Sequence, residues 1–412
     1  MNKLDIRDLK GLDKSIWLAV IVAALGYFVD IYDLLLFSIV RMSSLKGIGV
    51  ADHDLMSKGI LLINVQMAGL FVGGILWGVI GDKRGRLSVL FGSIVLYSTA
   101  NIANAFVTNI EQYAVLRFIA GIGLAGELGA GITLVSEILP QRLRGYGTSI
   151  VASIGLLGAV FGGLVGDIFH WRTAYVIGGV LGFLILLLRF GVVESGMFKR
   201  TKDDGVHRGR ISLLFRRETI GRYLAVILIG VPTWYVIGIL ATFAPEMAKS
   251  FGMSELPTAG RSVMFAYIGL SFGDLTSGLI SQYYSSRRKA IFIYFIGIII
   301  TTALYMFFAR ESVAMYYAFC VALGFFAGYW AMFVTVGAEQ FGTNIRSTVA
   351  TTAPNFVRGA VILLTSGFEA ITIRHNATLS AVIVGLVTMV IAMIALKILP
   401  ETFHKNLDYN EE

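Results

Sequence analysis

The runs Ile16–Phe37, Val89–Phe106, Val176–Leu188 and Ala290–Phe308 are long, apolar and almost free of ionisable groups. About 20 such residues in a helix cross the roughly 30 Å hydrocarbon layer of a bilayer. A lipid environment also demands that every backbone polar group be satisfied within the segment, which a helix does. One soluble core could not take in so many apolar helices. Composition agrees: 56% of residues are hydrophobic and 15% charged, where a soluble domain carries about a quarter charged. The chain therefore reads as an all-α membrane protein.

Twelve transmembrane helices are expected, near 16–40, 59–81, 87–107, 112–136, 146–168, 173–193, 220–244, 261–283, 290–309, 313–337, 348–371 and 377–399. The net charge of +8 is arranged by topology. With the amino terminus in the cytoplasm, 24 of the 34 Lys and Arg fall on cytoplasmic segments and their flanks and 8 on external ones; Arg117 and Arg358 lie inside spans. This is the positive-inside pattern for both ends in the cytoplasm, as in a multi-pass protein of the cell's inner membrane. The polar start Met1–Lys14 and the spanning run after it argue against a cleaved signal peptide. The single Cys320 excludes an internal disulfide. The sequon at Asn376 abuts a membrane end and is read as chance. Glycine (47 residues) far outnumbers proline (6), as suits closely packed membrane helices.

The chain divides near its middle. Residues 1–193 form an expected N-terminal six-helix bundle, 194–219 a basic cytoplasmic linker, and 220–412 a C-terminal bundle with its tail. The linker is too short for a nucleic-acid-binding module, so its charge is assigned to the headgroup layer. The halves echo each other. Gly78…Gly81-Asp82-Lys83-Arg84-Gly85-Arg86 follows span two, and Gly278…Arg287-Arg288 follows span eight. Glu137 precedes Arg144, and Glu339 precedes Arg346, at the same separation. A repeat at half-chain period points to two pseudo-symmetric bundles with a site between them.

The loop containing Gly78, Asp82, Arg84, Gly85 and Arg86 resembles the signature of the major facilitator superfamily between helices two and three. The resemblance covers the whole chain. It implies the superfamily's two-bundle fold and a cytoplasmic gate at this loop. Gly26-Tyr27-Phe28-Val29-Asp30 with Asp33, and Arg117…Gly126-Glu127, are similar to proton-coupled metabolite and phosphate symporters; Glu137…Arg144-Gly145 and Pro400-Glu401-Thr402 resemble the sugar-porter and symporter side. The glycine-proline signature of proton-drug antiporters is absent from 155–163, which argues against drug export. No acid follows Trp234 by one turn, which argues against phosphate.

Ionisable residues in the bilayer cost roughly 3 kcal/mol or more and are functional by default. Here they are Asp30, Asp33, Arg117, Glu127, Asp274 and Arg358. Asp30 and Asp33 sit one turn apart, on one face of span one. A carboxyl that gains and loses a guanidinium partner can bind and release a proton. The resemblance implies Asp33 with Arg117 as that pair, with Asp30 and Glu127 as further proton sites. Glu127 lies roughly 15 Å along its helix from Arg117. It is expected either to titrate as an isolated acid or to be held charged by a partner on another helix. Arg358 lies near the bilayer centre, too deep to snorkel. Its planar fork suits a carboxylate or phosphate, and Asn355 lies one turn earlier. The alternative is an ion pair with Asp274.

Tyr27, Trp234, Tyr235, Tyr329 and Trp330 are mid-span aromatics, candidates for contact with substrate or for packing alone. Pro232 and Pro354 are expected to bend spans seven and eleven. The five histidines lie in loops and tails without ligand spacing, so neither a metal nor another cofactor is expected, nor an enzyme. The function read from these features is proton-coupled symport of a small organic anion by alternating access. The alternatives are a sugar or other neutral solute, and inorganic phosphate. The expected partners are the anion, the proton and the lipid bilayer, with no nucleic acid, and the expected state is a monomer.

Overall fold

The computed structural model describes residues 14–139, 144–190 and 219–403, with 214, 216 and 217. The side chains of Asp82, Arg86, Glu137 and Arg144 lie outside the described residues. The basic stretch 194–213 does so entirely.

The described chain is helical, with no strand among its residues. The first half contains α1 (Lys14–Gly47), α2 (Leu55–Arg84), α3 (Arg86–Asn104), α4a (Ile110–Leu124) with α4b (Glu127–Ile138), α5 (Arg144–Ile168) and α6 (Trp171–Arg189). The second contains α7 (Ile220–Tyr235), α8 (Ala259–Tyr284), α9 (Arg287–Phe308), α10a (Val313–Ala327) with α10b (Trp330–Glu339), α11a (Thr343–Gly359) with α11b (Val361–Thr372), and α12 (Ala377–Ile398). Eleven helices are long and apolar enough to cross a membrane. The twelfth segment, α11a and α11b in series, carries polar Thr, Asn and Arg side chains on the face that meets the other half. Packing inside the protein, not lipid, accommodates them. Twelve crossings place the start of α1 and the end of α12 on one membrane face, here the terminal face; the other is the distal face.

Packing repeats between the halves. In the first, α2 packs on α4a, α3 on α6 and α1 on α6; in the second, α8 packs on α10a and α7 on α12. The closest crossings carry glycines at matching places. A methyl group at Gly69 or Gly73 would strike the backbone of Phe118 or Ile122, and one at Gly269 or Gly273 the backbone of Val321 or Phe325. Close backbone approach of this kind is how membrane helices associate without a hydrophobic driving force. The turn after each of α2 and α8 also needs positive φ: Gly85 has φ 95° and Ser285 φ 48°.

Spans four and ten, expected to be continuous, are each broken in the middle. The reason is visible in the neighbouring helix. Trp77 Nε1 on α2 donates to Ile122 O at 2.6 Å, and Asp274 Oδ1 on α8 accepts the Ala331 N–H at 2.8 Å. Side chains thus satisfy backbone groups that the breaks release. In α7, Pro232 is followed by a π-helical turn, Val236–Ala241, and then a short helix, Ala244–Ser250. In span eleven the interruption falls at Ala360 and not at Pro354, which α11a contains within its run.

The halves meet along α5 against α8, α2 against α11a and α11b, α1 against α8, and α4b against α11a. At mid-depth Asn355 Nδ2 donates to Ala125 O at 3.0 Å. On the distal face Arg41 pairs with Glu246 at 2.6 Å and Arg261 with Asp167 at 2.5 Å. Nearby, Thr365 Oγ1 donates to Asn64 Oδ1 at 2.5 Å and Asn64 Nδ2 to Ser366 Oγ at 3.2 Å.

Candidate functional site

Three clusters of buried polar groups lie inside the apolar body. The first sits between the halves. Tyr27 and Asp30 project from α1, Tyr267 from α8, and Asn355 and Arg358 from α11a. Arg358 lies within electrostatic reach of Asp30, Tyr27 and Tyr267. All five are buried. Arg358 makes no ion pair among the described residues, and its Nε has no hydrogen-bond partner. Both Asp30 oxygens are likewise without a hydrogen bond. Asp274 faces the same region, within electrostatic reach of Tyr27. Its oxygen is engaged by the start of α10b, so the expected alternative of an Arg358–Asp274 ion pair is not formed.

The second cluster lies wholly within the first half. Arg117 does not pair with Asp33, contrary to expectation. One of its terminal nitrogens donates to Gln66 Oε1. Its guanidinium faces the rings of Phe37, at 5.5 Å, and Tyr175, at 5.8 Å. Gln66 in turn donates to Leu34 O at 3.1 Å. Asp33 remains within electrostatic reach of Arg117, Asp30 and Asn101, but neither of its oxygens makes a hydrogen bond. Asp30 and Asp33 also part company. Asp33 lies against Gly178 of α6, where an added methyl group would strike its carboxylate, whereas Asp30 lies toward Arg358. The 60° between positions three apart on a helix is enough to separate their surroundings.

In the third cluster Glu127 is not an isolated acid. Arg189, at the end of α6, holds both its oxygens and also donates to Leu90 O at 2.5 Å. Both partners are buried. The sequence count had placed Arg189 on the cytoplasmic flank. A signal was present: Gly178, Gly182, Ile185 and Arg189 share one face of α6, and that face packs inward. Arg41 follows the same rule. It ends a span and by sequence counts with the external segment, yet it is fully buried, 4.6 Å from the Phe243 ring centroid.

The aromatic candidates divide. Tyr27 joins the first cluster. Trp234 and Trp330 meet edge to face at 6.4 Å, and Trp234 Nε1 is buried without a partner. Tyr235 and Tyr329 lie on the packing side of the two expected alternatives. Their hydroxyls donate to Ala381 O at 3.0 Å and to Ile229 O at 2.8 Å, inside the second half. In the signature loop, Gly78 lies opposite the Thr352 methyl across the α2–α11a seam, Arg84 is exposed, and Gly85 makes the turn.

The description of the Major Facilitator Superfamily matches residues 16–366. The niacin transporter NiaP of Acinetobacter baylyi is 26% identical over 364 residues, spanning 79% of this chain and 80% of its own. A protein of Cupriavidus pinatubonensis described as a probable 4-methylmuconolactone transporter is 24% identical, spanning 78% of this chain and 76% of its own. The fold is similar to the partially occluded inward-open xylose transporter XylE from E. coli, with a TM-score of 0.74 at 17% identity, covering 96% of this chain and 100% of that one.

Proposed function

The chain belongs to the major facilitator superfamily, and on that premise we propose that this membrane transporter carries a small organic carboxylate together with a proton. The observation that carries the reading is Arg358: a buried guanidinium at the seam between the halves, with no carboxylate paired to it among the described residues. Burying an unpaired charge is costly, and a substrate carboxylate would relieve that cost. Tyr27, Tyr267 and Asn355 supply two tyrosines and one amide near the position. The named substrates of two relatives, niacin and 4-methylmuconolactone, are small ring compounds bearing a carboxylate. Asp30 lies within electrostatic reach of Arg358 without pairing to it. Protonation of Asp30 as the substrate carboxylate binds keeps the charge of the site balanced. Asp33 is a second proton site.

A neutral solute is the weaker reading. Asn64 is engaged with Thr365 and Ser366 and Gln66 with Arg117, while Nδ2 of Asn355 is held by backbone carbonyls, which leaves only its Oδ1 to such a solute. The Lys and Arg asymmetry supports cytoplasmic termini and the inner membrane.

The test uses purified protein and proteoliposomes. Nicotinate and 4-hydroxybenzoate should raise the melting temperature, since a ligand bound only by the folded state stabilises it; nicotinamide, xylose and phosphate should not. Nicotinate uptake should rise under an inward proton gradient. Arg358→Ala should weaken nicotinate binding by about 1.5–3 kcal/mol, roughly ten- to a hundredfold in Kd, and adding Asp274→Asn should not restore it. Stabilisation by xylose or phosphate and by no carboxylate would overturn the reading.

A further inference from the structure

We propose that α3 carries a proton route to Asp33 inside the first half, separate from the seam that holds Arg358. The inference rests on the proton-coupling reading above and adds the path. Four buried side chains follow one another along α3: Tyr97, Ser98, Asn101 and Asn104, each fully buried. Tyr97, Asn101 and Asn104, four and three residues apart, share one face, and Ser98 borders it. Tyr97 Oη, Ser98 Oγ, and both amide atoms of Asn101 and of Asn104 have no hydrogen-bond partner. Six such atoms along one helix are far from usual, since buried polar atoms are nearly always satisfied. In hydrocarbon each orphan costs more still.

The strip leads somewhere at each end. Asn104 is the last residue of α3, and the exposed Phe106 and Thr108 follow it on the distal face. Asn101 lies beside Asp33. Ser98 and Tyr97 lie against Gly182 of α6, where a methyl group would strike both side chains. Tyr97 is within electrostatic reach of Glu127, Asp33, Arg189 and Asp30. About two turns further on, Leu90 O accepts from Arg189. From Asn104 to Leu90 the strip covers about 21 Å of helix, most of the hydrocarbon thickness.

The chemistry of the groups fits water and protons and nothing larger. Amides and hydroxyls with free donors and acceptors hold water molecules, two to four bonds to each. A proton passes along such water as one O–H bond forms and the next breaks. At Asp33 an Oδ takes the proton, the carboxylate becomes a neutral acid, and the donating hydronium becomes water. The groups around Asp33 are Asp30 and Tyr32 on its own helix, Asn101 on α3, Arg117 on α4a and Tyr175 on α6. The Tyr175 hydroxyl is already bonded to that of Tyr113 at 2.6 Å; Asp30 and Arg117 also keep atoms without a partner, but it is along α3 that such atoms continue from Asp33 to the distal end of a helix. α3 packs on α2, α4a, α4b and α6, all in the first half, so this route does not cross the seam that holds Arg358.

The experiment needs no substrate. In lipid-reconstituted protein, the infrared carbonyl band of protonated Asp33 is identified by its loss in Asp33→Asn, and its hydrogen–deuterium exchange is timed after a change to D2O. Asn101→Leu and Asn104→Leu should each slow that exchange at least about tenfold, one removed station adding that much to a barrier. Asn101→Ser and Asn104→Ser, which retain a polar group, should exchange at close to the wild-type rate and show that slowing is not misfolding. Met264→Ala, at the α5–α8 seam, should leave exchange unchanged. A band that exchanges equally fast in the leucine variants overturns the route while leaving Asp33 a proton site. Absence of any Asp33 band across the pH range overturns Asp33 as a proton site and the route with it.

Discussion

At the residue scale, what matters about each buried charge is which other helix answers it. Arg189 and Glu127 are separated by 62 residues and are nonetheless each other's partner. Removing one member of a buried pair leaves an uncompensated charge, typically at a cost of about 3–5 kcal/mol, whereas replacing both by apolar groups of similar volume is often neutral. Glu127→Gln should therefore lower the melting temperature sharply, and Glu127→Gln combined with Arg189→Met should recover most of it. Thermal unfolding of the three proteins in one detergent checks this. If the double variant is less stable than the single one, the pair is contributing more than mutual charge compensation. Arg358 differs in having no such answering acid in ion-pair contact, which is why it is the residue assigned to the substrate.

At the element scale, helix ends and breaks are set by single side chains reaching across from a neighbour. Asp274 receives the start of α10b, and Trp77 takes a carbonyl just before the break in span four. On the terminal face, Glu401 does the same for α9. It accepts from Ser286 Oγ and from the backbone N–H groups of Arg287, at 2.9 Å, and Arg288, at 3.3 Å. Partial burial pushes the Glu401 carboxyl up, but these hydrogen bonds and one from the Phe403 N–H outweigh it and hold it below its ordinary value. A carboxylate whose pKa is lowered by folding stabilises the fold fully above the unfolded value, about 4.3. That stabilisation is lost as pH falls through the lower folded value. The wild type should thus unfold at a higher temperature than Glu401→Gln at pH 7, with the gap closing as pH falls below about 4. A gap that stays constant from pH 7 to pH 3 would show that the carboxylate charge is not what caps α9.

At the scale of the whole molecule, both ion pairs that join the halves among the described residues lie on the distal face: Arg41 with Glu246, and Arg261 with Asp167. Arg41 also donates to Thr242 O at 3.4 Å, so it ties α1 to the segment where α7 has left regular α-helical geometry. The pairs hold the halves together on the distal side and should bias the equilibrium toward contact there. Loss of a charge-assisted bond of about 1.5 kcal/mol would shift a two-state equilibrium roughly tenfold. Glu246→Gln should accordingly speed maleimide labelling of a Met264→Cys reporter, which packs on Gly163 across the α5–α8 seam. The native Cys320 is buried and gives a low background. An unchanged labelling rate would remove Arg41–Glu246 from the gate.

Hydropathy along the chain was enough for the membrane class and for eleven of the twelve spans, because a bilayer sorts segments by properties that each segment carries alone; the half-chain repeat was readable only in the motif echoes after spans two, four, eight and ten. Hydropathy also exposed the short roster of intramembrane charges, since each stands out against an apolar run. The pairing of those charges was not legible. Arg117 turned to Gln66 and not to Asp33, Glu127 met Arg189, and Asp274 went to a helix start, because a partner is chosen by which helix faces pack together over separations of 51, 62 and 57 residues. Periodicity says which residues share a face of one helix. Which neighbour that face meets, and so whether a buried charge is answered, is a property of the packed bundles alone.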